Sequence, residues 1–186
     1  MNKIFIVTAG ETTLSPSLHL AALSEKGMWQ ASCINTTLET SFGLILYAPT
    51  AGASQTAHII AGVESALPER MTELCYQQGG EDEHNISMSL KIVGDTAPIS
   101  EHFRRGMEDS LRRLGSAAHM RIMNLIEARK PRSTLIIADP LIAPVLAFMM
   151  SEKHHSSRRF TERALGPCQG YMLSSNGNGF VQVAEI

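Results

Sequence analysis

Apolar residues along the chain follow two rhythms. Short unbroken runs occupy residues 4–7, 44–47 and 135–138, closed by Ala9-Gly10, Pro49 and Asp139-Pro140 respectively. Runs of that length, rich in β-branched and aromatic side chains, read as buried strands, the first taking in Lys3. Between them the spacing changes to three and four. Met28, Ala31, Ile34 and Leu38 recur at helical steps behind Ser24, whose hydroxyl can cap a helix start, although Gly27 lowers helix propensity in that first turn. Residues 54–67 predict a second helix through Ala57, Ile60, Ala61 and Glu64. Residues 100–129 predict the longest, with Phe103, Met107, Leu111 and Leu114 on one stripe, Met120, Met123 and Ile126 extending it, and a bend at Gly115. A further helix runs from Pro140 or Leu141 to about Lys153, proline being tolerated in a first turn. Residues 81–98 are polar and aperiodic and read as an irregular surface excursion.

The chain closes on a predicted hairpin. Residues 170–173 and 180–185 flank Ser174-Ser175-Asn176-Gly177-Asn178-Gly179, and Asn-Gly pairs supply the positive φ angles that tight turns need. Strand and helix alternate with no internal repeat, linker or low-complexity tract. The expectation is a single domain over residues 1–186, an α/β three-layer sandwich with a largely parallel central sheet. In such a sheet ligands gather beyond the carboxyl ends of the strands. Three strand ends therefore carry the interest: Thr8-Ala9-Gly10-Glu11, Ala48-Pro49-Thr50 and Ala138-Asp139-Pro140.

Composition narrows the classes of partner. A net charge of −2 gives no electrostatic reason to expect nucleic acid or an acidic membrane. Residues 4–7 are too few for a signal-peptide core, and the later apolar stretch 135–150 is broken by Asp139, Pro140 and Pro144. Cys33, Cys75 and Cys168 form no CxxC pair and read as reduced thiols of a cytoplasmic protein. Neither GxGxxG nor GxxxxGK is present, so no phosphate loop and no cofactor is implied. A helix start near Ser54 still offers backbone N–H groups to a small anion.

The strand ends also carry a resemblance. Residues 4–12, IFIVTAGET, are similar to the opening strand and RHGET signature of the histidine phosphatase (phosphoglycerate mutase-like) superfamily. Leu23-Ser24-Glu25-Lys26-Gly27 with Gln30-Ala31 resembles its LTxxGxxQA segment. Tyr47-Ala48-Pro49 with Ser54-Gln55-Thr56-Ala57 resembles its SPxxRAxQTA segment. Glu73-Leu74 is placed like the family's acidic E-L, and residues 135–139 like a strand ending in a second histidine. The resemblance implies a phosphoglycerate mutase-like fold. In active members the RHG histidine attacks phosphorus, two arginines and a second histidine hold the phosphoryl oxygens, and a carboxylic acid protonates the leaving group.

On that alignment the decisive residues are replaced. Thr8 stands for the first arginine, Ala9 for the nucleophile, Gly52 for the second arginine and Asp139 for the second histidine. Gly10 is kept, and Glu11 and Glu73 remain as acids. An alanine cannot attack phosphorus, and loss of even one stabilising donor costs roughly 10²–10³ in rate. The set Thr8, Ala9, Gly10, Glu11, Gly52, Glu73 and Asp139 thus reads as a vestigial pocket whose charge has turned acidic, with no catalytic residue assigned.

The seven histidines read as ordinary surface or core residues: His19, His58, His84, His102, His119 and His154-His155. His19 and His84 alone sit on segments expected near the pocket. The basic stretch His154-His155-Ser156-Ser157-Arg158-Arg159 reads as a solvated loop beyond a helix C-terminus. Glu81-Asp82-Glu83-His84, which could join Asp139 around a metal, reads the same way, and no metal site is expected. The leading expectation is a pseudoenzyme that binds a protein or a small molecule, with a homodimer as an open option. The alternative is a rewired hydrolase using Asp139, Glu11 or Glu73 with water or a metal on a phosphorylated small molecule.

Overall fold

The computed structural model describes residues 2–15, 17, 20–38, 40–76, 81–94, 97–151, 158–175 and 180–186, with backbone alone for residues 158–159 and 180–183. Its strands are β1 (Lys3–Thr8), β2 (Leu44–Tyr47), β3 (Glu69–Arg70), β4 (Ser133–Ala138), β5 (Gly170–Ser175) and β6 (Phe180–Glu185). Its helices are α1 (Glu25–Leu38), α2 (Ala51–Ala61), α3 (Glu81–Val93), α4 (Ile99–His102), α5 (Glu108–Arg129), α6 (Ile142–Met150) and α7 (Arg158–Thr161). The strands form one six-stranded sheet in the order β3-β2-β4-β1-β5-β6. Its first four strands run parallel, and β5 and β6 add an antiparallel hairpin at the edge. The expected α/β sandwich with a largely parallel sheet is present.

The central strands form for the reason their runs suggested. Every residue of β4 is buried, as are Ile4 to Thr8 of β1, so these strands need apolar side chains on both faces. Helices α1 and α2 pack on each other, with α2 against β2 and β4; α5 and α6 form a second pair, with α6 against β1, β4 and β5. Alanine-rich contact faces (Ala31, Ala53, Ala57, Ala118, Ala143 and Ala147, all buried) let these helices approach the sheet closely. A second, smaller core lies under α3, α4 and the start of α5, built from Tyr76, Ile86, Ile99, Leu111, Leu114, Leu141, Ile142 and Val145.

Several boundaries depart from expectation. Residues 81–93 are a helix rather than an irregular excursion. Only Ile86 and Ser89 of it are buried, too few to give a periodic signal, while acidic Glu81, Asp82 and Glu83 sit favourably in its first turn. Helix α2 begins at Ala51, earlier than Ser54, because Thr50 caps it by accepting from Ala53 N, and it ends at Ala61. The break in the long helix falls at Gly106, which takes φ 83°, and not at Gly115. Gly115 stays helical because its bare Cα faces α6, where an added Cβ would lie 2.6 Å from Val145 Cγ1. Met28 is turned outward, 46% exposed, while Gly27, Ala31 and Ile34 face inward. Ser24 does cap α1, accepting from Gly27 N at 3.0 Å. The hairpin's turn residues 176–179, and His154, His155, Ser156 and Ser157 of the basic stretch, lie outside the described residues. Arg158 and Arg159 open α7.

Candidate functional site

Strand register assembles the site. Thr8 of β1 pairs with Ala138 of β4, and Tyr47 of β2 pairs with Ile137, so three chain segments leave the sheet side by side. Beyond them lies a cavity of about 370 Å³. Ala9, Gly10 and Glu11 line it after β1, Ala48 and Thr50 after β2, and Asp139 and Pro140 after β4. Thr12 and Ala21 enclose one side, Leu165, Gly166 and Pro167 another, and Ala53 and Cys75 complete the wall with Thr8 and Ala138.

Thr8 is buried and already bonded. Its Oγ1 donates to Gly166 O at 2.6 Å and accepts from Gln169 N at 3.2 Å, tying β1 to the segment before β5. Ala9, half-buried, presents a methyl group to the cavity. Gly10 N donates to Thr56 Oγ1 at 3.0 Å, and that hydroxyl donates to Gly52 O at 2.8 Å, which locks the loop onto α2. Glu11 sits at the cavity wall, but its carboxylate accepts from Lys26 Nζ at 2.6 Å and from Ser24 Oγ at 3.2 Å. The Lys26 hydrogen bond holds this carboxyl below the usual range.

Asp139 differs from the other acids. Its backbone carbonyl accepts from Ile142 N and Ala143 N, each at 2.9 Å, and its Oδ1 accepts from Leu141 N at 2.9 Å, so it caps α6. Its Oδ2 accepts no hydrogen bond among the described residues. Burial pushes the carboxyl up to about 6, against the lowering effect of the Leu141 N–H.

Two residues placed in the pocket by sequence lie outside the cavity wall. Gly52, in the first turn of α2, faces the segment after β1; a Cβ there would come within 2.6 Å of Thr12 Cγ2 and 3.2 Å of Ala21 O. Glu73 points to α5, where both its oxygens accept from Arg121 Nη1 at 2.6 and 2.8 Å. Burial raises the Glu73 carboxyl, but the Arg121, backbone and Thr72 hydrogen bonds together leave it lowered. The structure therefore brings together Thr8, Ala9, Gly10, Glu11 and Asp139, and not Gly52 or Glu73. The wall residues Ala21, Cys75 and 165–167 come from remote segments with no local signal, except that Cys75 follows Leu74, whose carbonyl accepts from Asp139 N at 2.9 Å.

No Arg, Lys or His lines the cavity among the described residues. His58 is exposed on α2 with Nδ1 2.7 Å from Ser54 O, His84 is exposed on α3, and His102 is buried in the second core. His119 lies on α5, while His19, His154 and His155 lie outside the described residues. Asp82 pairs with Arg113 at 2.6 Å. No three His, Cys, Asp or Glu among the described residues are grouped as metal ligands. No helix among them is long and apolar enough to cross a membrane.

No family model and no curated protein matches the chain in sequence. Solved structures do match in shape. A phosphoglycerate mutase from Bacillus anthracis superposes with a TM-score of 0.66 at 15% identity, covering 98% of this chain and 92% of that one. A mutant phosphoserine phosphatase from Entamoeba histolytica, in complex with phosphoserine, gives 0.65 at 17% identity over 97% of this chain and 94% of that one. A mycobacterial glucosyl-3-phosphoglycerate phosphatase with inorganic phosphate gives 0.66 at 13% over 100% and 96%. Likeness at such low identity is a likeness of architecture, and it agrees with the strand order: the chain has a phosphoglycerate mutase-like fold.

Proposed function

We propose that this chain is a small-molecule-binding pseudoenzyme, a phosphatase-like scaffold that does not perform phosphohistidine chemistry. The observation that carries the reading is Ala9. It lies at the end of β1, where the resemblance puts the nucleophile, and turns a methyl group to the cavity. A phosphoryl group placed there would meet no cationic side chain among the described wall residues, and would sit beside the Asp139 carboxylate. Phosphoryl transfer depends on fixed positive charge around the equatorial oxygens. The structural neighbours named above are phosphatases and a mutase; the fold is common ground, and a site must be argued from its own residues.

One observation favours a second reading. A carboxyl raised to about 6 inside a cavity has the character of a general acid or base, so Asp139 could support hydrolysis on its own. Glu11 and Glu73, held by Lys26 and Arg121, are less suited to that role. Assaying the protein with p-nitrophenyl phosphate, phosphoserine and 3-phosphoglycerate, with and without Mg²⁺, Mn²⁺ or Zn²⁺, separates the two. The scaffold reading expects no turnover above buffer. Turnover that disappears in Asp139→Ala would establish the hydrolase instead.

A further inference from the structure

We infer that the cavity beyond β1, β2 and β4 takes a small organic cation, a primary or secondary ammonium on a compact apolar body, with Asp139 as its anchor. This deepens the scaffold reading and rests on it.

Charge comes first. The carboxylates at the wall are Glu11 and Asp139, and Glu11 is neutralised by Lys26 at 2.6 Å. Asp139 has no cationic partner among the described residues. Its compensation is the N-terminus of α6, where Leu141 N donates to Oδ1 while Ile142 N and Ala143 N are taken up by its own backbone carbonyl. A helix terminus offers about half an elementary charge, so a deprotonated Asp139 leaves the cavity net negative. Helix α2, the other helix starting at the wall, has its Ala53 N–H occupied by the Thr50 hydroxyl. An anionic ligand would thus lose its hydration to face a carboxylate, whereas a cation gains a charge-assisted hydrogen bond at Asp139 Oδ2.

Shape and lining specify the remainder. Ala9, Ala48, Ala53, Ala138 and Leu165 give an apolar surface, and the small alanines leave the room open. A volume of about 370 Å³ is at the lower end of ligand sites and suits a body of about one ring. No aromatic residue lines the wall among the described residues, so there is no cage of rings for a quaternary ammonium. Recognition falls on a hydrogen bond to Oδ2, which needs an N–H on the ligand.

The test uses probes that share a phenyl body and differ in the head group: benzylamine, benzyl alcohol, benzoate and benzyltrimethylammonium, titrated by calorimetry and ligand-observed NMR. Benzylamine should bind roughly tenfold or more tighter than benzyl alcohol and benzyltrimethylammonium, with benzoate weakest. Asp139→Asn, which keeps an oxygen to accept from Leu141 N, should erase the amine preference while leaving benzyl alcohol bound. Ala9→Leu, which fills the cavity, should weaken amine and alcohol together. Because the amine needs the ionised carboxylate, its affinity should hold above pH about 6 and fall below it, with the alcohol unaffected. Benzoate binding as well as the amine, a preference that survives Asp139→Asn, or no binding of any probe each overturns the inference. Alcohol binding with no amine preference removes the cation and leaves the scaffold reading standing; phosphomonoester turnover removes the scaffold reading itself.

Discussion

A carboxyl group hemmed in by protein raises the free energy of the folded state whenever it is ionised, and Asp139 is such a group. Its carboxyl ionises near 6 in the folded protein, against an ordinary value of 3.8 in the unfolded chain. Between those values the folded state holds a proton that the unfolded chain has released, so stability falls as the pH rises through this window. Above it the penalty is complete, on the order of 2–3 kcal/mol. Asp139→Asn should therefore stabilise the protein by about that amount at pH 8, and the gain should vanish by pH about 4, read from urea melts. A neutral or harmful effect at pH 8 would mean that the carboxylate is well compensated as it stands. Thr8 shows the opposite case, a polar side chain fully used by the fold. Thr8→Val keeps the shape, removes the hydroxyl bonded to Gly166 O and Gln169 N, and should cost about 1–3 kcal/mol in the same melts.

At the scale of elements, α3 and α4 are held to the body by a small core that contains one buried base. His102 is 1% exposed, its Nδ1 lies 3.0 Å from Ser89 Oγ of α3, and its Nε2 has no partner among the described residues. Burial lowers its pKa below the ordinary 6.5, with the nearby Glu101, itself paired with Arg104, acting in the other direction. The unfolded chain takes up a proton as the pH falls through 6.5, before the folded protein does, so stability is lost from that point downward. Amide exchange in residues 81–93 and 99–102 should accelerate on acidification below pH 6.5, relative to the central strands, and His102→Gln should remove that dependence. This region was also the least legible in sequence. Strands β2 and β4 announce themselves because burial on both faces demands unbroken apolar runs, whereas α3 buries only two residues and is held by Ile86, Ser89 and the Asp82–Arg113 pair. The start of α2 was hidden similarly: Thr50-Ala51-Gly52 carries a cap but no apolar periodicity.

For the whole molecule, the three strand ends were legible because parallel register puts the carboxyl ends of β1, β2 and β4 together. What was not legible was where side chains turn: Glu73 is drawn away by Arg121, which is 48 residues distant, and Gly52 is covered by Thr12 and Ala21. Both are long-range packing choices that no local pattern encodes. They also make the divergence of the site more than a matter of four letters. Thr8→Arg would force a guanidinium into a position that is 1% exposed and sever the Gly166 bond, and Gly52→Arg would drive a Cβ to 2.6 Å from Thr12 Cγ2. Each conflict belongs to the class that costs several kcal/mol unless the backbone moves. Ala9→His, by contrast, places an imidazole into open cavity and should be tolerated. Combining Thr8→Arg, Ala9→His, Gly52→Arg and Asp139→His should accordingly melt well below Ala9→His alone and gain no phosphohistidine when incubated with p-nitrophenyl phosphate, measured as a phosphoryl mass shift on the intact chain. A stable quadruple variant that acquires that adduct would show the segment after β1 to be free to retreat, and phosphohistidine formation on this scaffold to need those four side chains alone.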